Sequence, residues 1–319
     1  MRKAGNISKL VFTALILIVL IFSADRVKAS CFDALIICGR LIVPSLFPFF
    51  VLSAFITRLG LPGIIGHFVS GFTCKVYGIS PAGASALILG FVGGYPSGAA
   101  YISSMEKDGL IELQEAERLI AFCNNSGPAF IVGVMGTAIF GSVKIGLQLY
   151  AVHIVSALIT GLFFREKCCR CTIAPHRLDE TIPSQALVAS VKQAVGSILN
   201  VCGFVIFFYV LVSLMDVGGI RSLLCTRLSM ITGLSQQFIM AFLSGILELG
   251  SGASAMLGLK STPINLALAA AMLGWGGLSV HFQTMAVLSD SKIKGSLHLA
   301  GRLSCAIIAF FIMYILALF

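Results

Sequence analysis

Two glycine-rich polar patches interrupt apolar stretches of this chain, and each has a second patch downstream. The first pair is Gly93-Gly94-Tyr95-Pro96-Ser97-Gly98-Ala99 and Cys123-Asn124-Asn125-Ser126-Gly127-Pro128. The second pair is Glu248-Leu249-Gly250-Ser251-Gly252-Ala253 and Trp275-Gly276-Gly277-Leu278-Ser279-Val280-His281-Phe282-Gln283. A helix broken inside a bilayer frees N–H and C=O groups that must find partners. Breaks at corresponding positions of two halves point to a transporter's binding site. The chemistry is therefore recognition of a solute, not alteration of one. A glycine run beside Pro96 offers backbone amides, and the half-helix behind it adds partial positive charge, which suits an anionic group. Asn124, Asn125 and Ser126 supply neutral donors and acceptors, and Pro128 stops a regular continuation.

Taken singly, Ser97-Gly98-Ala99 and Ser251-Gly252-Ala253 also read as close helix packing, for which small residues are common in membranes. Together with the asparagine patch they read as a site. Ionisable residues inside apolar segments add to it, because each is costly in hydrocarbon. Glu248 is read as a counter-charge for Arg40, a proton or cation site, or a ligand contact. His281 and Gln283 follow a Gly-Gly kink that would expose them, the alternative for His281 being a buried, hydrogen-bonded histidine. Arg40 is suited to grip a carboxylate with two parallel hydrogen bonds. The candidate solute-binding set is thus Arg40, Gly94, Tyr95, Ser97, Gly98, Asn124, Asn125, Ser126, Glu248, Ser251, Gly252, Ser279, His281 and Gln283. His153 and Lys144 are expected to snorkel from segment ends, and Asp216 and Arg302 to mark boundaries. The acidic run Glu106, Asp108, Glu112, Glu115, Glu117 reads as a solvated turn and helix start. No catalytic residue, metal or cofactor is expected, since no phosphate loop, metalloprotease helix or activated nucleophile appears.

The elements that position these residues follow from composition. Of 319 residues, 58% are hydrophobic and 11% charged, and the mean hydropathy is +1.00. A soluble domain of that length needs far more polar surface. The expected fold is an all-α polytopic membrane protein with about 9–11 membrane elements, counted by the length needed to span a bilayer. The candidates are 10–23, 34–57, 80–104, 117–140, 142–164, 194–215, 234–257, 264–288 and 300–319, with two weaker segments at 62–78 and 218–231. The stretch 1–30 is read as an uncleaved N-terminal transmembrane helix, the alternative being a signal peptide. The richest Lys/Arg loop, 165–189, is placed in the cytoplasm as a basic linker. Cys168, Cys169 and Cys171 within it lack a fourth ligand at a zinc spacing and read as free thiols. The formal charge of +9 fits basic cytoplasmic loops. No nucleic-acid partner is implied, because no basic face interleaved with aromatics appears.

Residues 31–56 and 190–215 share an amphipathic start and an apolar, aromatic-rich end, and the glycine patches downstream fall in register. The chain is accordingly divided into a first repeat, 31–164, and a second, 190–319. An even number of crossings per repeat would make them parallel, an odd number inverted, and the choice turns on whether 62–78 crosses.

The motifs also carry a resemblance. Gly93-Gly94-Tyr95-Pro96-Ser97-Gly98-Ala99, Glu115-Ala116-Glu117-Arg118-Leu119, Asn124-Asn125-Ser126-Gly127-Pro128-Ala129-Phe130, Gly245-Ile246-Leu247-Glu248 and Gly277-Leu278-Ser279-Val280-His281-Phe282-Gln283 occur in order. In this the chain resembles the YlbJ-type sporulation integral membrane proteins with a nucleoside-recognition Gate domain. Ala100 departs from the pattern, where relatives often carry Lys. The resemblance implies a membrane transporter acting in spore formation, in the outer forespore membrane, with dipicolinic acid as leading solute and Tyr95, Phe130 and Phe282 as stacking surfaces for its ring. The alternatives are a nucleoside-like solute and a non-transporting scaffold of the sporulation machinery. The implied partners are that small solute, the lipid bilayer and other sporulation membrane proteins, with an oligomer allowed.

Overall fold

The computed structural model describes residues 10, 14, 17–166, 182–217 and 219–319. Most of 1–16 and of the basic linker, with its three clustered cysteines, lies outside the described residues. The described residues are all helix and connection, with no strand among them. In chain order the helices are α1 (Ala24–Arg58), α2 (Leu61–Tyr77), α3 (Pro81–Gly93), α4 (Ser97–Lys107), α5 (Leu113–Phe122), α6 (Ala129–Ile139), α7 (Val143–Phe163), α8 (Pro183–Val217), α9 (Ile220–Thr232), α10 (Gln236–Leu247), α11 (Leu249–Ala255), α12 (Pro263–Trp275), α13 (Gly277–Leu288) and α14 (Ser296–Leu316). Helix α8 begins at Pro183, inside the stretch read as linker.

The chain is a polytopic membrane protein. Among the described residues, five helices or helix pairs are long and apolar enough to cross a bilayer, and a sixth is counted if the pair bent by 99° between α2 and α3 is one span. The remaining membrane elements are half-length. That is why hydropathy, which registers apolar length without direction, counts more segments than full crossings. Large apolar side chains such as Phe68, Phe72, Leu199, Phe207, Ile231 and Phe311 are exposed, as lipid-facing surfaces require.

The described helices before and after the linker come in a similar order: a long helix, a shorter helix, a helical hairpin, a pair of shorter helices and a full-length helix. In the first half these are α1, α2, α3–α4, α5–α6 and α7, and in the second α8, α9, α10–α11, α12–α13 and α14. The hairpins are held by their own arms. Ser85 and Tyr101 hydroxyls meet at 3.3 Å across α3–α4. In α10–α11 the Gln237 amide donates to Leu257 O at 2.7 Å and Ala255 O at 3.2 Å. A Cβ at Gly252 would run into the Gly245 backbone, so glycine permits the close approach there.

The elbow between α2 and α3 turns through Gly78 at φ +61°. It is pinned by Glu115, whose carboxylate accepts from Ser80 N at 2.6 Å. Arg118 adds donations to Tyr77 O and Gly78 O, and an ion pair with Glu166 at 3.3 Å. Glu115 is buried, so this acid is a structural clamp and not part of a solvated turn.

Candidate functional site

All four breaks meet. The α3–α4 tip contributes Gly93, Gly94 and Tyr95, and the gap between α5 and α6 contributes Ser126 to Phe130. The α10–α11 tip contributes Glu248 to Gly250, and the start of α13 contributes Ser279, Val280 and Gln283. These groups line one cavity of about 60 Å³, closed on the far side by Leu46, Phe49 and Phe50 of α1 and by Val201 and Val205 of α8. Helix α8 runs continuously past this wall, whereas α1 has a π-helical turn at Cys38–Ile42 where it reaches the cavity. The four breaks supply polarity and these two long helices supply an apolar face.

Each break is held by close backbone contact with another. Gly94 has φ +71°, and a Cβ there would lie 2.9 Å from Gly127 N. Gly277 has φ +84°, and a Cβ there would lie 3.0 Å from Leu249 N and 3.2 Å from Glu248 Cα. Positive φ at these points is open to glycine and strained for other residues. The first hairpin tip thus seats on the first broken span, and the second tip on the second.

Of the residues singled out in the sequence, Gly94, Tyr95, Ser126, Glu248, Ser279 and Gln283 line the cavity. Glu248 caps α11: its carboxylate accepts from Gly250 N at 2.8 Å and from Ser251 N. Two charge-assisted hydrogen bonds and the positive end of its own helix partly compensate the acid. It is 2% exposed, while Arg40 is exposed and lies off the cavity wall. Glu248 is thus held by its own helix start, and Arg40 is not among the residues that line this cavity.

The asparagines stand behind the wall. Asn124 is fully buried; its amide donates to Thr284 Oγ1 at 2.9 Å, and its oxygen accepts from Ala99 N at 3.2 Å. It ties the first broken span to α4 on one side and to α13 of the other half. Asn125 donates to Phe122 O at 2.7 Å and accepts from Arg302 at 3.0 Å. Both asparagines are committed to holding the break, so the polar side chains that line the cavity are those of Tyr95, Ser126, Glu248, Ser279 and Gln283.

Four other candidates serve packing or a different cleft. Gly98 packs against Asn124 Cα, where a Cβ would come within 3.1 Å, and Gly252 packs on Gly245. Ser251 is buried in α11. Ser97 faces a separate cleft on the other side of the hairpin tip. His281 is buried behind the wall, 4.3 Å from the Trp275 ring and 5.1 Å from His298, ring centre to ring centre. Neither of its nitrogens has a partner among the described residues. Phe130 lines the cavity, whereas Phe282 is exposed and packs on Phe208 at 5.8 Å, so it offers no stacking surface there.

Two residues behind the site were assigned elsewhere from sequence. Arg302 is fully buried in α14 and is no boundary marker. Its guanidinium donates to the Tyr95 hydroxyl at 3.2 Å, Asn125 Oδ1 at 3.0 Å and Ala121 O at 3.2 Å. Among the described residues no carboxylate pairs with it. His153 is also buried, and does not snorkel; its Nε2 accepts from Ser126 N at 3.2 Å. That bond fixes the tautomer, since the nitrogen facing an N–H must be the acceptor. A sequence signal for Arg302 existed: His298 and Arg302 stand four apart on a helix whose same face carries Gly301 and Cys305, the spacing of neighbours on one face.

With this geometry in hand, the chain can be set beside known proteins. No family model matches it. It is 26% identical over 283 residues to the sporulation integral membrane protein YlbJ of Bacillus subtilis (strain 168), a match that covers 80% of this chain and 69% of that protein. The resemblance carried by the motifs is borne out by this relative. A solved structure of a doubly substituted CNTnw in an outward-facing state superposes with a TM-score of 0.59 at 14% identity, covering 99% of this chain and 86% of that one. At that identity the likeness concerns the fold alone.

Proposed function

We propose that this protein carries a small polar solute across a membrane of a sporulating cell, and that the solute sits where the four helix breaks meet. The observation that supports this reading best is the convergence itself. Two hairpin tips and two broken spans, far apart in sequence, present their freed backbone and polar side chains to one cavity. Packing alone does not require four costly breaks to coincide.

The cavity, at about 60 Å³, is well below the roughly 300–1,000 Å³ of ligand pockets. We read it as the closed form of a site that opens when a hairpin and its broken span move against α1 and α8. In our reading the halves are inverted repeats: counting α5–α6, which is not itself among the helices long and apolar enough to cross, as the counterpart of the α12–α13 span gives each half three crossings. A hairpin that enters and leaves on one face adds none. The basic linker side is taken as cytoplasmic, and the membrane as the outer forespore membrane.

For the solute we favour a small aromatic dicarboxylate, dipicolinic acid. Arg302 places a buried charge, with no carboxylate partner among the described residues, one hydrogen bond behind Tyr95, and Glu248 is partly neutralised by the helix that it caps. Phe130 and Tyr95 offer ring faces. A second reading, a neutral nucleoside-like solute, draws on the remaining acceptor capacity of Glu248 and on Gln283 at the wall. Equilibrium binding to the purified protein in nanodiscs separates them. Saturable binding of labelled dipicolinate, abolished in Gln283→Leu and indifferent to uridine, is expected. Displacement by uridine would favour the second reading. Binding of neither solute by a folded protein would favour a scaffold role.

A further inference from the structure

The first turn of α14 carries His298, fully buried although Ser296, two residues earlier, is exposed. Its Nδ1 faces Ile120 O at 3.2 Å. A carbonyl only accepts, so this nitrogen carries the hydrogen, and Nε2 of the neutral ring is an acceptor. That Nε2 has no partner among the described residues. The His281 ring of α13 stands 5.1 Å away, centre to centre, and both of its nitrogens also lack partners among the described residues. Buried imidazoles with unused nitrogens are costly, and more so inside a membrane. No third His, Cys, Asp or Glu among the described residues joins the two in a group that could hold a metal. The ligand suited to two facing imidazoles is then a proton. The pair also leads inward from one face of the protein. Lys294 N, just before α14, donates to Glu117 of α5 at 3.2 Å, and the neighbouring Arg118 pairs with Glu166 at the start of the basic linker. His298 therefore lies just beneath the linker-side surface, and His281 shares a helix with Ser279 and Gln283 of the cavity wall.

Arg302, one turn along α14 from His298, is the charged group that bears on both rings. Helix α12 presents Trp275 to His281 at 4.3 Å, and α5 presents Ile120 O to His298. The next titratable groups, Tyr95, Cys123 and Cys305, together with His153 of α7, face Arg302. Glu248 is turned into the start of α11. Among the described residues, α4, α8 and α10, which also pack on α13, bring no further charge to the pair. We propose that His281 and His298 form a proton site, loaded from the linker side, whose proton crosses with the solute, so that the protein is a proton–solute symporter. The inference rests on the transport reading above and deepens it by naming the coupling ion. Loading forms one N–H bond at a free ring nitrogen and gives an imidazolium; release restores the neutral ring, and no other bond changes. An imidazolium beside Arg302 sets two like charges together. An anion in the cavity, linked to Arg302 through the Tyr95 hydroxyl at 3.2 Å, offsets them. Solute and proton thereby favour each other's binding, and the coupling runs equally in both directions.

The test is accumulation of labelled dipicolinate, or of uridine if that is the solute carried, by the full-length protein in proteoliposomes whose membrane potential is held at zero with potassium and valinomycin. A gradient of about one pH unit, acid outside, is a tenfold ratio of proton activity, so one coupled proton should concentrate the solute about tenfold inside the wild-type vesicles. His281→Gln and His298→Gln cannot take a proton on the ring position, and each should lose this accumulation. Each should still exchange labelled for unlabelled solute, which needs no net proton movement. Glutamine at position 298 can still donate to Ile120 O, and thermal unfolding checks both folds. If a variant no longer exchanges, proton uptake on adding solute to purified protein in weak, mildly alkaline buffer decides: uptake is expected in the wild type and not in the variant, and equal uptake would overturn the proposal. Accumulation that survives in either variant would also overturn the pair, and is the result that carriage of an already protonated solute gives. Wild-type transport that ignores the gradient would overturn proton coupling and leave the carrier standing. Failure of the wild-type protein to move either dipicolinate or uridine would remove the transport reading and this inference with it.

Discussion

Asn124 joins the two halves of the molecule, and its replacement by alanine exposes how much that joint contributes. The side chain is fully buried, donating to Thr284 Oγ1 at 2.9 Å and accepting from Ala99 N at 3.2 Å. Asn124→Ala removes both bonds, each with a net contribution of about 1 kcal/mol, and strands the buried Ala99 N–H at a further cost of about 1–3 kcal/mol. The expected loss is about 3–5 kcal/mol. Thr284→Val is close to isosteric and strands the Asn124 amide, costing about 1–3 kcal/mol. In the double variant that amide no longer exists, so the combined loss should fall short of the sum by about 1–2 kcal/mol, the signature of residues in contact. Denaturant titration in mixed micelles, followed by the fluorescence of the single tryptophan, Trp275, measures all three. Strict additivity, or a cost below about 0.5 kcal/mol for Asn124→Ala, would refute the claim that Asn124 bridges the halves and would return it to the solute.

Three further outcomes follow from the same geometry. Gly94→Ala forces a left-handed residue to carry a Cβ 2.9 Å from Gly127 N; strain of about 1–2 kcal/mol should lower uptake by about tenfold at near-normal abundance. Gly39→Ala, with open space around it, should behave as wild type in the same assay. Glu248→Gln keeps an acceptor for only one of the two amides at Gly250 and Ser251, so the same titration should register a loss of about 1–3 kcal/mol, with half-saturation for a dianion moved downward by removal of the repelling charge. His153→Leu strands Ser126 N–H and should destabilise by about 1–3 kcal/mol, whereas His153→Gln, which can still present an acceptor, should recover much of that loss.

The breaks were legible because they need glycine, proline and short polar side chains inside apolar runs, a pattern with few other uses in a bilayer. Gly94, Tyr95, Ser126, Glu248, Ser279 and Gln283 were picked out that way, and the fold brings them to one wall. Facing was not legible. Arg40 and Arg302 both lie in apolar segments, and hydropathy treats them alike, yet one is exposed and the other is the buried centre of a hydrogen-bond cluster. Asn124 and Asn125 are polar for the break's own needs, a demand that sequence cannot distinguish from a ligand's. The apolar wall of Phe49, Phe50, Val201 and Val205 was also silent, since side chains of this kind fill every span. The count of crossings was blurred because α3 and α10 are apolar half-length helices, indistinguishable from pieces of full spans until the turns at Gly94 and Glu248 are seen.

The most direct test of the central claim is uptake of radiolabelled dipicolinate into proteoliposomes, with nucleosides as competitors and Gln283→Leu beside the wild type. The account predicts saturable uptake that is lost in the variant at equal abundance and is unaffected by nucleosides. Absence of uptake by correctly inserted wild-type protein, or full uptake by the variant, would contradict a carrier whose solute site is the meeting point of the four helix breaks.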